Sequence, residues 1–306
     1  MLVSVIMNGH NAAEYVESAI KSVLSQTYDD LELIFYDNFS CDDTPSIVGS
    51  FKDKRVKYYK SERFLSLGEA RNNAIAHSTG ELIAFLDTDD LWLPTKLELQ
   101  VPIFSDPNIG IVISDTIFFN SDRDVRQPFR FSKPPTGKVF RALIKNYFIS
   151  LETAVVRKSA LASLDHMFDT RFQVIEEYDL FVRLSYFWEL GYVDEVLGKW
   201  RMHPESWTWS KGDLFLEERI IFVDKLKNSI PNFNQSNYPS EIRSLQRALD
   251  WDMARKYWKS RDKKNCRKLL SKYKYDSTKW FAAYLLSFLP FTIFQYILKK
   301  FGRIAA

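Results

Sequence analysis

Cysteine is nearly absent from this chain, and glycine is sparse. Cys41 and Cys266 are the only thiols in 306 residues, which leaves no disulfide framework, and no Cys/His cluster has zinc-binding spacing. The 10 glycines form no G-x-G-x-x-G turn for a dinucleotide. Thr136-Gly137-Lys138 runs into Val139 where a phosphate loop needs a hydroxyl residue. Internal repeats and low-complexity tracts are missing too. No basic, apolar secretory stretch stands ahead of the first strand, which starts almost at Met1, so an intracellular protein is expected.

What remains is 46% hydrophobic, enough for one large core, or one core with a small appendage. The net charge of +3 conceals a division. Of 42 Lys+Arg and 39 Asp+Glu, residues 251–306 hold 14 and 3, a local charge of +11. The first 250 residues keep 28 and 36, a local charge of −8. An acidic body with a cationic tail suggests chemistry in the first and attachment to an anionic surface in the second.

Apolar runs at Val3 to Met7, Leu31 to Tyr36, Val56 to Tyr59 and Leu82 to Leu86 read as strands. Between them, Ala12 to Leu24, a segment opening at Pro45, and Gly68 to His77 read as helices, the last stopped by Gly80. Strand and helix alternating in this way call for a doubly wound α/β layer. Farther on, the pattern predicts a helix over Pro94 to Phe104 and a strand over Ile109 to Ser114. A loop or hairpin follows over 115–137. Short helices at Lys138 to Lys145 and Lys158 to Leu164 surround a strand at Thr153 to Val156. An amphipathic helix spans Glu177 to Phe187, and a late strand spans Val196 to Met202. Asn228 to Ser240, rich in Asn, Ser and Pro, is the expected linker, with two helices over 241–274 turning near Ser260 to Asp262. The domain expectation is 1–227 for the α/β body and 228–306 for a helical, basic region.

The chain is organised around Glu81 to Leu93, ELIAFLDTDDLWL. A non-alternating apolar run is how a strand buried on both faces reads, and this one stops at Asp87-Thr88-Asp89-Asp90. Ligands of open α/β sheets sit outside the carboxyl ends of the strands. Three acids there repel one another unless a cation is present, and hard oxygen ligands suit Mg²⁺ or Mn²⁺. Taken alone, the cluster is explained more simply by a helix cap at Asp89 or Asp90 with solvated neighbours. The balance shifts because Asn8 to Asn11, Asp37 and Asp87 to Asp90 end three strands that would converge on one sheet edge.

VSVIMNGHN, SVLSQTYDDLELIFYDNFSCDDT, LGEARNNAIAHSTGELIAFLDTDDLW and EEYDLFVRL resemble, in this order, the motifs of family-two glycosyltransferases. The resemblance covers about the first two-thirds of the chain. It implies a GT-A type fold, a doubly wound mixed sheet flanked by helices, here with a C-terminal helical appendage. It also implies an inverting, nucleotide-sugar-dependent hexosyltransferase, assisted by Mn²⁺ or Mg²⁺. By the same resemblance Asp37 meets the nucleotide base, with Asn8, Gly9 and His10 lining that pocket. Arg71 and Asp87 lie near the nucleotide, Asp89 holds the metal, His203 joins it on the pyrophosphate side, and Glu177 is the catalytic base. The chain departs from the family pattern in two places. Asn8-Gly9-His10-Asn11 stands where Pro-Thr-Tyr-Asn is usual, and Glu177 stands where Asp is commoner.

Plainer readings stand beside these. Asp37 caps a turn, Arg71 pairs with Glu69 on a helix surface, and Glu176 and Glu177 suit a helix dipole. Asp179 is the fallback base, and Trp92 reads as core. The expected partners are a nucleoside-diphosphate sugar, foremost a UDP-sugar, and a glycan or lipid-linked glycan acceptor; no nucleic acid is expected. Trp280 to Leu298 is almost wholly apolar but broken by Ser287, Pro290, Thr292 and Gln295, and lysines flank it. A surface-lying membrane segment is the leading reading of that run, ahead of a packed helix pair and of a true span. The expected location is cytoplasmic, peripheral on the membrane. The competing function is a non-catalytic nucleotide-sugar-binding or scaffold protein at the membrane.

Overall fold

A computed structural model describes residues 1–120, 123–203, 214–290 and 293. The chain separates into two units, Met1–Ser210 and Lys211–Ala306.

In the first unit the apolar runs form strands as their lack of alternation requires. β1 (Val3–Gly9), β2 (Leu31–Asp37), β3 (Val56–Lys60) and β4 (Leu82–Phe85) are all parallel, in the order β3-β2-β1-β4. Helices α1 (Val16–Leu24), α2 (Thr44–Ser50) and α3 (Leu67–Ala76) connect them. Val3, Val5 and Met7 of β1 cluster with Leu33, Phe35, Leu82 and Ala84 and with Val16, Ala19, Ile20 and Val23 of α1. Each fully buried Val or Ile there contributes about 1.5–3 kcal/mol. Ser66 starts α3, its hydroxyl accepting the Glu69 N–H at 3.3 Å. Gly80 precedes β4 because a Cβ would stand 2.6 Å from the Leu2 carbonyl oxygen.

Beyond β4 the sheet becomes mixed. β5 is the two-residue Leu91–Trp92, followed by α4 (Lys96–Gln100). Next come β6 (Ile109–Phe119), β7 (Asp124–Arg126), α5 (Phe140–Lys145), β8 (Val155–Arg157) and α6 (Lys158–Ala162). α7 (Glu176–Phe187) and β9 (Glu189–Arg201) complete the unit. The order continues β4-β8-β6-β9-β5, with β7 paired to β6. β8 is antiparallel to β4 and β6, β9 is parallel to β6, and β5 is antiparallel to β9. β5 follows β4 in sequence yet closes the far end of the order, so the sheet curls and Asp87 to Asp90 run from its interior strand β4 to its edge strand β5.

Some boundaries differ from the sequence expectation. The single helix over Pro94 to Phe104 is instead the short α4 and a 3₁₀ turn at Val101–Ser105. Pro102 explains the change, since it has no N–H for the α ladder and crowds the carbonyl four residues back. The late strand begins at Glu189, ahead of Val196, and register shifts around Asp115 leave Asp194 and Glu195 bulged out of the pairing. The strand expected over Thr153 to Val156 is a 3₁₀ turn, Leu151–Thr153, leading into β8.

The second unit is helical: α8 (Leu214–Ser229), α9 (Pro239–Lys259), α10 (Lys263–Ser271) and α11 (Thr278–Leu286). Both ends of the expected linker, Asn228 to Ser240, are therefore helical. Ala254, Trp258, Cys266, Leu270, Tyr273, Trp280 and Ala283 make its core. No helix among the described residues is long and apolar enough to cross a membrane. Of the apolar run ending at Leu298, residues 291, 292 and 294–298 lie outside the described residues.

Candidate active site

Arg71 is the hub of the acidic edge. It sits on α3 with 3% of its surface exposed. Its Nη1 donates to Glu176 Oε1 at 2.8 Å, and its Nη2 donates to Asp87 Oδ1 at 2.9 Å. The guanidinium also lies 5.4 Å from the Phe168 ring centre. Burial works against its charge, but Asp87, Glu176 and Glu177 more than offset this and hold it firmly protonated. Glu69, the surface partner considered for Arg71, pairs with Arg63 at 2.7 Å.

Glu177 stands beside this knot at the start of α7, half-buried, and its carboxylate accepts no hydrogen bond among the described residues. Burial, then Glu176, push its carboxyl up to about 8, with Asp87 and Glu152 adding to the push and Arg71 opposing it. Two residues on, Asp179 is fully buried and grips Arg183 through Nε at 3.0 Å and Nη2 at 2.7 Å. The helical offset separates the two acids, and the fallback base is tied to its own arginine.

The end of β4 carries the second cluster. Asp89 Oδ2 meets His203 Nε2 at 2.8 Å. Burial and the neighbouring Asp87 raise the Asp89 carboxyl above its ordinary range, while His203 pulls it down. Arg201 was not singled out from sequence, though it lies in the Trp200-Arg201-Met202-His203 stretch. Its N–H donates to Asp90 Oδ1 at 2.7 Å and its Nε donates to the Asp89 carbonyl at 2.7 Å. Its guanidinium lies between the Tyr15 and Phe119 rings, at 4.6 and 4.5 Å. Asp90 is buried among like charges, and its carboxyl is pushed well up. The aspartate oxygen here is a donor that suits Mn²⁺ or Mg²⁺, and the imidazole nitrogen beside it fits the softer Mn²⁺ better than Mg²⁺. Among the described residues, one trio of metal-type side chains lies within 4.8 Å, namely His166, Asp169 and Asp179. Of the expected site residues it holds the fallback base Asp179 alone, and arginines already neutralise both of its acids.

Behind the loop lies a buried polar layer that local pattern did not reveal. Glu152 accepts from the Thr116 hydroxyl at 2.7 Å, and burial raises its carboxyl. Lys96 donates to the Thr153 carbonyl at 3.0 Å and lies 4.6 Å from the Trp92 ring centre. Burial pulls its ammonium down to about 7. Trp92 is core, as expected, donating to the Glu152 carbonyl at 2.8 Å.

The remaining expected residues end β1 and β2. Gly9 pairs in register with Asp37. A Cβ on Gly9 would come 2.7 Å from Phe35 Cζ and 3.2 Å from Thr88 Cγ2, so glycine brings β1 against the acidic loop. Asp37 is buried and caps a turn, accepting from the Ser40 N–H at 2.8 Å and the Tyr58 hydroxyl at 2.6 Å. Both amide atoms of Asn8 are buried without a hydrogen-bond partner. An orphaned buried amide is costly, and a ligand at the strand ends would relieve it.

A family model described as "Glycosyl transferase family 2" matches residues 4–165. Among curated proteins, the chain is 34% identical over 160 residues to UDP-Glc:alpha-D-GlcNAc-diphosphoundecaprenol beta-1,3-glucosyltransferase WfgD of Escherichia coli, covering 52% of this chain and 62% of that protein. It is 31% identical over 157 residues to the putative teichuronic acid biosynthesis glycosyltransferase TuaG of Bacillus subtilis, covering 51% and 62%. Each match thus spans less than two-thirds of the relative's length. The solved structure of S. aureus TarS 1-349 in complex with UDP-GlcNAc superposes with a TM-score of 0.65 at 19% identity, covering 90% of this chain and 92% of that one. Mannosyltransferase PcManGT from Pyrobaculum calidifontis, in complex with GDP-Man and Mn2+, gives 0.64 at 18%, covering 96% and 83%. The curled mixed sheet flanked by helices is the GT-A fold of these neighbours.

Proposed function

Because the chain belongs to glycosyl transferase family 2, we propose that it is an inverting hexosyltransferase. It moves a sugar from a nucleoside diphosphate, foremost a UDP-sugar, to a glycan or lipid-linked glycan. The observation that carries this reading is Glu177, a half-buried carboxylate that accepts no hydrogen bond among the described residues, beside an Arg71–Asp87–Glu176 knot whose Asp87 follows the same strand as Asp89. The Escherichia coli relative, named for transfer from UDP-Glc to a diphosphoundecaprenol-linked sugar, supports both the donor and the acceptor class.

The acceptor hydroxyl oxygen forms a bond to the anomeric carbon as that carbon's bond to the phosphate oxygen breaks. The hydroxyl proton passes to Glu177, and the electron pair leaves with the nucleoside diphosphate. One direct displacement inverts the anomeric centre. Asp89 and His203, beside Asp87, would hold a divalent cation, Mn²⁺ or Mg²⁺, whose charge stabilises the departing diphosphate. Arg71 holds Asp87 and Glu176 in place through its two hydrogen bonds. Asn8, Gly9 and Asp37 line the nucleotide side, where the unpartnered Asn8 amide takes up a hydrogen bond from the bound base or ribose. A membrane-embedded acceptor places the protein at the cytoplasmic membrane face, held there by its cationic second unit.

Transfer assays with purified protein, UDP-sugars and polyprenyl-diphosphate-linked acceptors, with and without Mn²⁺, test the reading. Metal-dependent transfer by the wild type that Glu177→Gln abolishes is the expected result. Nucleotide-sugar binding with neither transfer nor donor hydrolysis would favour the non-catalytic scaffold.

A further inference from the structure

Among the described residues, α11 and the turn after it leave one apolar stripe exposed. Trp280, Ala283 and Ser287 turn into the helical core. Phe281, Leu285 and Phe288 point elsewhere and remain 46%, 50% and 50% exposed. At about 100° per residue Phe281 and Leu285, four apart on the helix, fall within about 40° of arc; Phe288 follows in the turn that ends the helix, its N–H donating to the Leu285 carbonyl at 3.2 Å, and extends the same ridge. Ser277 starts the helix by accepting the Trp280 N–H at 3.4 Å, which fixes the phase of that ridge. Exposed large apolar residues of the first unit, such as Phe39, Phe64, Phe131 and Phe187, are spread over separate segments.

Cations surround the ridge. The Arg267 guanidinium lies 4.8 Å from the Phe288 ring centre. Lys274 Nζ lies 4.8 Å from the Tyr275 ring and 5.4 Å from the Tyr284 ring, and Tyr275 is itself exposed. Residues 263–290 contain seven Lys and Arg but one acid, Asp276, and that acid is engaged by Arg243 at 3.4 Å and Arg247 at 3.7 Å. A partner for this surface must accept apolar wedges and carry negative charge around them. A second copy of the same surface meets the first demand and violates the second, since it brings cation against cation.

We propose that the Phe281–Leu285–Phe288 ridge, with Arg267 and Lys274, is a docking face for an anionic lipid bilayer, the helix lying in the headgroup plane. Interfacial helices combine an apolar face with basic flanks in this way. The inference rests on the membrane-face reading above and names the surface that performs it.

The test floats the full chain with phosphatidylcholine vesicles and with phosphatidylcholine–phosphatidylglycerol vesicles, in the absence of donor or acceptor. Flotation with the mixed vesicles, weaker with phosphatidylcholine alone and falling with salt, is expected. F281S/L285S/F288S should lower the partition coefficient at least about tenfold, with circular dichroism and UDP-sugar affinity unchanged. Should that triple variant fail to fold, R267E/K274E should give a loss of similar size confined to the anionic vesicles. Three results overturn the proposal. They are no flotation of the wild type, wild-type flotation by a folded variant, and a ridge variant that turns a sedimenting dimer into a monomer while its flotation is unchanged. Since no sugar is transferred in this assay, a failed glycosyltransferase reading leaves its outcome intact.

Discussion

The two units handle charge in opposite ways. Around Arg71 and Asp90, ionisable groups are buried and tied to one another, so each group's state depends on its neighbours. On α10 and around α11, most cations reach water, and their effect is collective. Buried charge is bound to geometry, and removing one partner strands the others. Exposed charge is screened and loses little from any single change. The first arrangement suits chemistry on one bond, and the second suits adhesion to a surface.

That contrast sets the order of expected effects. Glu177→Gln should lower turnover about 10²–10⁴-fold, the usual weight of a general base, while donor binding by calorimetry persists; retained turnover would remove Glu177 from the mechanism. Arg71→Met should cost about 3–5 kcal/mol, because Asp87 and Glu176 lose their buried counter-ion. A melting curve reads this, and an unchanged Tm would mean that the knot is looser than it looks. The wild-type kcat/KM should rise about tenfold per pH unit toward pH 8 and then level, since the base must lose a proton held up to about 8. The same shift affects stability. A carboxyl raised in the folded state favours folding below its unfolded value and loses that contribution as pH rises through about 8. The Tm of Glu177→Gln should therefore exceed that of the wild type at pH 9, with the gap narrowing toward pH 5. At the small end, a single Lys→Gln change on α10, such as Lys268→Gln, should move stability by no more than about 0.5 kcal/mol. It should shift vesicle binding slightly, and more at low salt than at high.

Much of the first unit could be read from residue order. β1 to β4 announced themselves because a strand buried on both faces shows an unbroken apolar run. Their polar ends meet because parallel strands all finish on the same side, so Asn8, Gly9, Asp37 and Asp87 needed no knowledge of packing. α7 was placed to within one residue, and Asp179 was separated from Glu177 by helical offset alone. Less was visible beyond Leu91. The two-residue β5 is too short for a periodic signal, and the 3₁₀ turn at Val101–Ser105 required weighing one proline against an otherwise helical pattern. Glu152 and Lys96 gave no warning, since an acid and a lysine in short segments normally read as solvent-facing.

Apolar periodicity and turn residues act over a few positions, and so the order of the chain was enough to specify its strands, most of its helices and the edge where its acids collect. Partners are a different matter. Arg71 reaches Glu176 across 105 positions, and Arg201 reaches the Asp89 carbonyl across 112. Nothing in local sequence distinguishes a surface arginine from one closed between two carboxylates. That choice, and with it the charge state of Glu177, arises only when the curled sheet and α7 bring distant segments into a common low-dielectric space.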